Sequence, residues 1–375
     1  MIEYVEIRSA TNRELIGIVD TAKSIIWHMV YYGVGDFEVY APCTPENISL
    51  LVAGNYVTRY DSRNVGLIES VNITYNEQDG RMIVASGRFA KSLLERRIIY
   101  KRSGYRVSPT ILKGNVEAAA RSLVSANAIN CAFDSGRNMQ ELVLGKYGNL
   151  EPVIVDDSGG TAEKQVTHDV LLTYTDSLLQ EYGMGAYCAL DANNKLAYTV
   201  FVGVDRSVDN GENEPVIFSQ DFDNLISTDY VYDISSLRNT VLIGGEGEGE
   251  ERFYSIIKNS SVTGSDRREL FLDSSSIKKT YTDDDDKEKT LTDAEYNQQL
   301  KAHGMQEVPK HTIIETFDGE IDLTSSVLKY GRDYDLGDIV TIQDNEIDRY
   351  INTRILEITE VQDENGYQID AKYGQ

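Results

Sequence analysis

Three aspartates crowd the stretch "YGRDYDLGDIVTI" (330–342). Asp333, Asp335 and Asp338 fall on a D-x-D-x-x-D spacing that could gather oxygen ligands around a hard cation or supply an acid/base pair. The same residues also read as the way into a strand. Gly337 supplies a conformation that other residues resist, Asp335 and Asp338 can hydrogen-bond turn amides, and "DIVTI" has strand propensity. Only the strand-entry turn explains the glycine and the β-branched run together, so the turn is the expectation.

Other chemistry-bearing residues are scattered. His28, His168, His303 and His311 are isolated, with no H-E-x-x-H. They are read as a strand position for His28, a helix face for His168 and a helix end for His303. "GGEGEGE" (244–250) has the glycines of a phosphate cradle but lacks a following Lys-Ser/Thr, and its glutamates would repel phosphate. It reads as an acidic hairpin loop. "DANNK" lacks the sixth-position glycine and distal glutamate of a calcium loop, and "TDDDDK" (282–287) reads as a solvated charge run. There is no G-x-S-x-G. Cys43, Cys131 and Cys188 are far apart and form no C-x-x-C, so three separate thiols are expected. No catalytic residue, metal ligand or cofactor is expected.

The 375 residues suffice for two to four domains. Lys+Arg number 36 against 61 Asp+Glu, a net charge of −25, which disfavours a sequence-reading grip on nucleic acid and binding to anionic membranes. No secretory signal or membrane segment is visible, and "SIIWHMVYYGVG" (24–35) is too short to span a bilayer.

The elements that must position these residues are mostly strands. "NVGLIESVNITY", the turn "NEQDG" and "RMIVAS" form a hairpin, and "GRFAKSLLERRII" then switches to helical period. Asn115 can cap a helix through "VEAAARSLVSANAI". "DDSGG" (156–160) reads as a turn or linker. "AEKQVTHDVLLTYTDSLLQEY" reads as one helix on the stripe Val166, Val170, Tyr174, Leu178 and Tyr182, stopped at Gly183. "AYCAL" and "LAYTVFVGV" form a second hairpin. The last third returns to strands, interrupted by a polar helix with a Thr292/Glu295 capping box and an end at Gly304. The fold class expected is α+β and β-rich, two β-modules around a mixed α/β middle with a small helical insertion.

Several stretches resemble one family. "YDLGDIVTI" followed by "NTRILEITEV" resembles the C-terminal barrel signature of phage baseplate or tail-tip hub proteins. In that signature Leu336, Gly337 and Asp338 form the turn and Arg354 lies on the following strand. "YYGVGDFEVYAP" (31–42, with Gly35, Asp36 and Phe37), "GLIESVNI", "SGRFAKSLLERRI" (with Gly87 and Arg88), "FVGVDRS" (201–207, with Asp205 and Arg206) and "PVIFS" match the siphophage branch in order, from about residue 3 to residue 374. The branch is similar to the N-terminal hub of tail-associated lysins and to the myophage baseplate hub.

The resemblance implies two tail-tube-like β-barrel domains per chain. Residues 1–105 would form the first, completed by strands within 186–235. Residues 106–235 would form the middle domain, and 236–375 the second barrel with its polar insertion at about 274–306. It implies a structural, non-enzymatic virion protein made in the host cytoplasm, a homotrimer at the tail tip without a cofactor. Its partners would be the distal tail protein or tube ring, the tape-measure protein and a downstream tip, fibre or lysin protein, with DNA passing through unbound. Asp205-Arg206-Ser207 is expected to hold a bend by a local ion pair. A lytic module, carried C-terminally by long members, is expected on another protein or removed. The alternatives are a tail cell-wall hydrolase or peptidase, and the hub of a phage-derived bacteriocin.

Overall fold

The computed structural model describes residues 2–374 apart from 78–79, 156–159, 161, 223, 225–226, 259–260, 283–287 and 321–326. The turn "NEQDG" is therefore described only in part, and most of "DDSGG" and "TDDDDK" lie outside the described residues. The chain forms two compact units. One comprises residues 1–156, 160–229 and 317–375; the other comprises 157–159 and 230–316. The fold is α+β and β-rich.

The larger unit holds eight whole strands of a ten-stranded sheet. Ser24–Val30, Asp36–Pro42, Gly80–Arg88 and Ser70–Asn76 pair antiparallel in that order. The first two alternate a core-facing and an open residue, as period-2 patterning requires. Trp27, Phe37, Val39, Ile83 and Ala85 fill the core side, where each large apolar side chain contributes roughly 1.5–3 kcal/mol. Ile339–Asp344, Arg349–Asp363 and Gly366–Gly374 form an antiparallel set from the other end of the sequence. Ile217–Ser219 adds to Ile339–Asp344 in parallel.

The two sets meet along one seam. The 15-residue strand Arg349–Asp363 pairs through residues 349–354 with Ile339–Asp344 and through 357–362 with Ser24–Val30. The change of partner coincides with a register shift between Ile355 and Glu357, where Leu356 is the extra residue. A bulge bends a strand and raises its twist, and that lets one strand serve two neighbours. The first and last regions read as separate modules thus share a sheet.

Behind the seam, Arg59 donates to both oxygens of Glu360 (2.8 and 3.1 Å) and both of Asp61 (2.9 and 2.9 Å). Its guanidinium lies 5.4 Å from the Trp27 ring, and Tyr367 donates to Glu360 at 2.5 Å. Burial alone would lower the Arg59 pKa, but the hydrogen bonds to Glu360 and Asp61 outweigh it and raise it.

The same unit holds a four-stranded sheet, Leu15–Val19, Val5–Arg8, Tyr56–Thr58 and Gly66–Leu67, and a helical layer. Asn115 caps Val116–Val124 by accepting from the Ala118 amide at 2.9 Å, as expected. The expected long helix is split. Glu163–Val166 is a strand paired with Thr110–Lys113, and the helix spans only Leu171–Glu181. His168 has φ 67°, a left-handed conformation that breaks a helix, so it lies on no helix face. Gly183 does stop the helix, with φ 68°.

In the smaller unit Tyr254–Lys258, Thr240–Gly244 and Glu269–Asp273 form a sheet around a short acidic loop. The helix Asp293–Glu307 carries the expected Thr292/Glu295 capping box and packs Tyr296 and Leu300 with Val241 and Ile243. It runs on through Gly304, where a Cβ would meet Ile243 at 2.5 Å; that glycine serves close packing and not termination. Among the described residues no helix is long and apolar enough to cross a membrane.

Candidate functional site

The motif residues of the C-terminal half converge on one knot. Gly337 has φ 93°, and a Cβ there would sit 2.2 Å from the Tyr31 ring, so the turn requires glycine twice over. Asp338 is buried. Its Oδ1 accepts from the Val204 amide (2.7 Å), and its Oδ2 accepts from Arg206 Nε (3.0 Å) and the Asp335 amide (2.9 Å). The Asp205–Arg206 segment is laid along the strand entry, with Ile339 donating to the Val204 carbonyl and Arg206 to the Ile339 carbonyl. Arg206 therefore pairs with Asp338 across 132 residues and not with its neighbour. Asp205 instead accepts from the Ser207 amide at 2.9 Å. Arg354 completes the knot: it donates to the Gly337 carbonyl at 2.5 Å and lies 5.3 Å from the Tyr31 ring centre. Leu336, next to Gly337, is buried.

The three aspartates are directed apart. Asp333 pairs with Arg332 and accepts from the Lys329 amide. Asp335 accepts from the Leu336 amide (2.7 Å) and from Arg63 (3.2 Å). A cavity of about 340 Å³ beside the turn carries Arg63, Arg206, Arg332, Asp335 and Asp338 on its wall, with the three arginines each held by an aspartate. That arrangement fixes loops and leaves no carboxylate pair free for acid/base work. Among the described residues no group of three His, Cys, Asp or Glu could hold a metal ion.

The N-terminal motif residues are likewise joints. A Cβ on Gly35 would sit 2.0 Å from the His28 carbonyl oxygen, and one on Gly87 1.9 Å from that of Leu67. Phe37 packs against Trp27 at 5.7 Å. Arg88 grips Glu69 through Nε and Nη2 (2.9 Å each) and Glu95 through Nη1 (2.7 Å). The Arg88 hydrogen bonds hold Glu69 below the usual carboxylate range against the opposing effect of burial.

What sequence reasoning missed is a surface. The face of the ten-stranded sheet opposite the core is open across the seam. It presents Asp36, Glu38, Glu357, Thr359 and Asp370 from three strands, with Ser24 and Ser86 on two further strands of the same sheet. His28 bridges it, with Nδ1 3.1 Å from Asp36 and Nε2 2.9 Å from Glu357, and Lys372 lies 3.0 Å from Glu357. Burial pushes the Glu357 carboxyl up, but Lys372 and His28 outweigh it and hold the group below its ordinary value. Carboxylates and hydroxyls share this face with Ile26, Val84 and Val361, which lie in phase with them, and with the cations Arg88 and Lys372. The alternation that marks it is legible within each strand; that the strands are neighbours is not.

Solved structures share this fold. The tail protein from Neisseria meningitidis MC58 is similar over 99% of this chain and 96% of its own, at 12% identity and a TM-score of 0.52. The 43 kDa tail protein of prophage MuSo2 from Shewanella oneidensis is similar over 100% of this chain and 98% of its own, at 11% identity and a TM-score of 0.53. At such identity the likeness is one of fold. A search of curated proteins by sequence found no match. The family model described as Siphovirus ReqiPepy6 Gp37-like protein matches residues 4–375, and the chain belongs to that siphovirus tail protein family.

Proposed function

We propose that this phage tail structural protein is the trimeric hub of the tail tip. Three copies would join the hexameric tail tube or distal tail ring to the tip and line the channel through which DNA leaves. The observation that carries the reading is the open sheet face. It is built from two strand sets of one chain set edge to edge, one from each end of the sequence. If each set is one barrel wall, three chains present six walls, and a trimer can meet a sixfold ring. Its carboxylates outnumber its cations, and Lys372 is already paired with Glu357, so the wall would repel phosphate and DNA would slide past it. Tape-measure, distal-tail and downstream tip or lysin proteins are the partners this role requires. The motif residues, from Gly35 to Arg354, act here as joints that hold the wall, and the role needs no catalysis and no cofactor.

Two measurements test the reading. The solution mass should reach three times 42.0 kDa. Phage carrying Glu38→Gln with Asp370→Asn should eject DNA several-fold more slowly; unchanged ejection kinetics in normally assembled particles would remove the channel-lining role.

A further inference from the structure

One stretch departs from the acidity of the chain. Residues 96–113 hold six cations, Arg96, Arg97, Lys101, Arg102, Arg106 and Lys113, and no acid, so the other residues carry −31 of the net −25. The centre of the stretch is a two-stranded hairpin, Lys101–Ser103 with Arg106–Ser108, and every residue in it is exposed. Tyr105 at its tip is 102% exposed and Val107 is 44% exposed. Its root is anchored: Ile99 is fully buried, and Tyr100 packs on Phe133 at 5.0 Å beneath Arg137 at 4.2 Å. A lone two-stranded hairpin is marginal in water. Arginine and tyrosine around exposed aliphatic groups are the composition of a protein contact, whereas a phosphate grip needs no aliphatic groups.

The complementary surface lies on the same chain. Leu15–Val19 is an edge strand, paired among the described residues on one side only, with Val5–Arg8. Gly17 and Val19 face the interior, while Leu15, Ile16 and Ile18 are 51%, 46% and 44% exposed. An edge strand this apolar is a template for another strand. The exposed acids Glu14 and Asp20 flank it in sequence, and exposed Glu46 lies on the helix Pro45–Leu50, whose Leu50 packs against Gly17 of the strand.

We infer that the Lys101–Ser108 hairpin of one copy docks on the Leu15–Val19 edge of a second copy, its cations meeting Glu14, Asp20 and Glu46. Donor and acceptor are different patches, so the contact is head-to-tail, the type from which a closed ring of identical copies is built. The inference rests on the trimer reading for its ring size.

The test uses full-length chain with a benzophenone amino acid in place of Tyr105, mixed from ordinary and heavy-isotope-labelled copies. Irradiation should join position 105 to residues 14–20 of the other copy. Lys101→Glu with Arg102→Glu and Arg106→Glu should abolish that cross-link and weaken self-association by about tenfold or more, with circular dichroism unchanged. The hairpin role falls, and the trimer stands, if trimers form with cross-links elsewhere or the charge-reversed chain assembles equally tightly. Hairpin-dependent capture of duplex DNA in place of a second copy would also overturn it. Cross-links to 14–20 in a two-subunit species would keep the contact and sink the trimer. A monomer at every concentration, with no mixed-label cross-link, overturns both.

Discussion

Arg59 and Glu357 show how burial decides the weight of a charge within one sheet. The Arg59–Glu360 pair is almost wholly buried behind the seam, so removing one partner strands the other without water. Glu360→Ala is expected to cost about 3–5 kcal/mol, read as a lower urea midpoint. Glu357 sits on the open side of the same strand, about a quarter exposed, and Glu357→Gln should cost about 1 kcal/mol or less. Its pH effect has a definite sign. The folded pKa is depressed, so the contribution is present above the unfolded value, roughly 4.3, and is lost as pH falls through the folded value. Stability measured against pH should therefore decline less on acidification in Glu357→Gln than in the parent. Of these two residues, Glu360 left a trace in the sequence, since a charge in phase with Ile358 on the apolar side of a strand asks for a buried partner. Nothing local says that the partner is Arg59.

The strand-entry turn is where local chemistry and distant packing agree. Gly337, the aspartates and the β-branched run were enough to read a turn followed by a strand, and Ile339–Asp344 is that strand. Its three carboxylates point to three different partners, a fact that spacing alone does not contain. Gly337→Ala would meet both a positive φ and the Tyr31 ring, so a loss of at least about 2 kcal/mol is expected, visible as a lowered thermal midpoint. Arg206→Ala should lower that midpoint too, whereas Asp205→Ala, which loses a bond to its own turn, should lower it less. Helices were legible where a cap marked the start, beside an apolar run at Asn115 and by the capping box at Thr292. The stripe from Val166 to Tyr182 misled because its first turn pairs as a strand with Thr110–Lys113, a long-range hydrogen-bond ladder that outweighs local periodicity.

At the scale of the molecule, strand content and the hairpins were readable from alternation and turn residues, but the joining of the first and last strand sets was not. At the seam the pairing partners lie more than three hundred residues apart, and a single sequence carries no sign of which edges meet. A fragment ending at residue 105 is accordingly expected to show no cooperative thermal transition, because Ser24–Val30 would lose its pairing with residues 357–362. A sharp transition in that fragment would mean that the first set stands alone. The seam also has a temporal side. During synthesis, Ile25, Trp27 and Met29 leave the ribosome more than three hundred residues before Glu357–Gln362 exist to lie beside them. The nascent chain must keep that apolar edge from pairing with other polypeptides through most of its translation, so its final closure comes late and is slow, as for any contact of such long range.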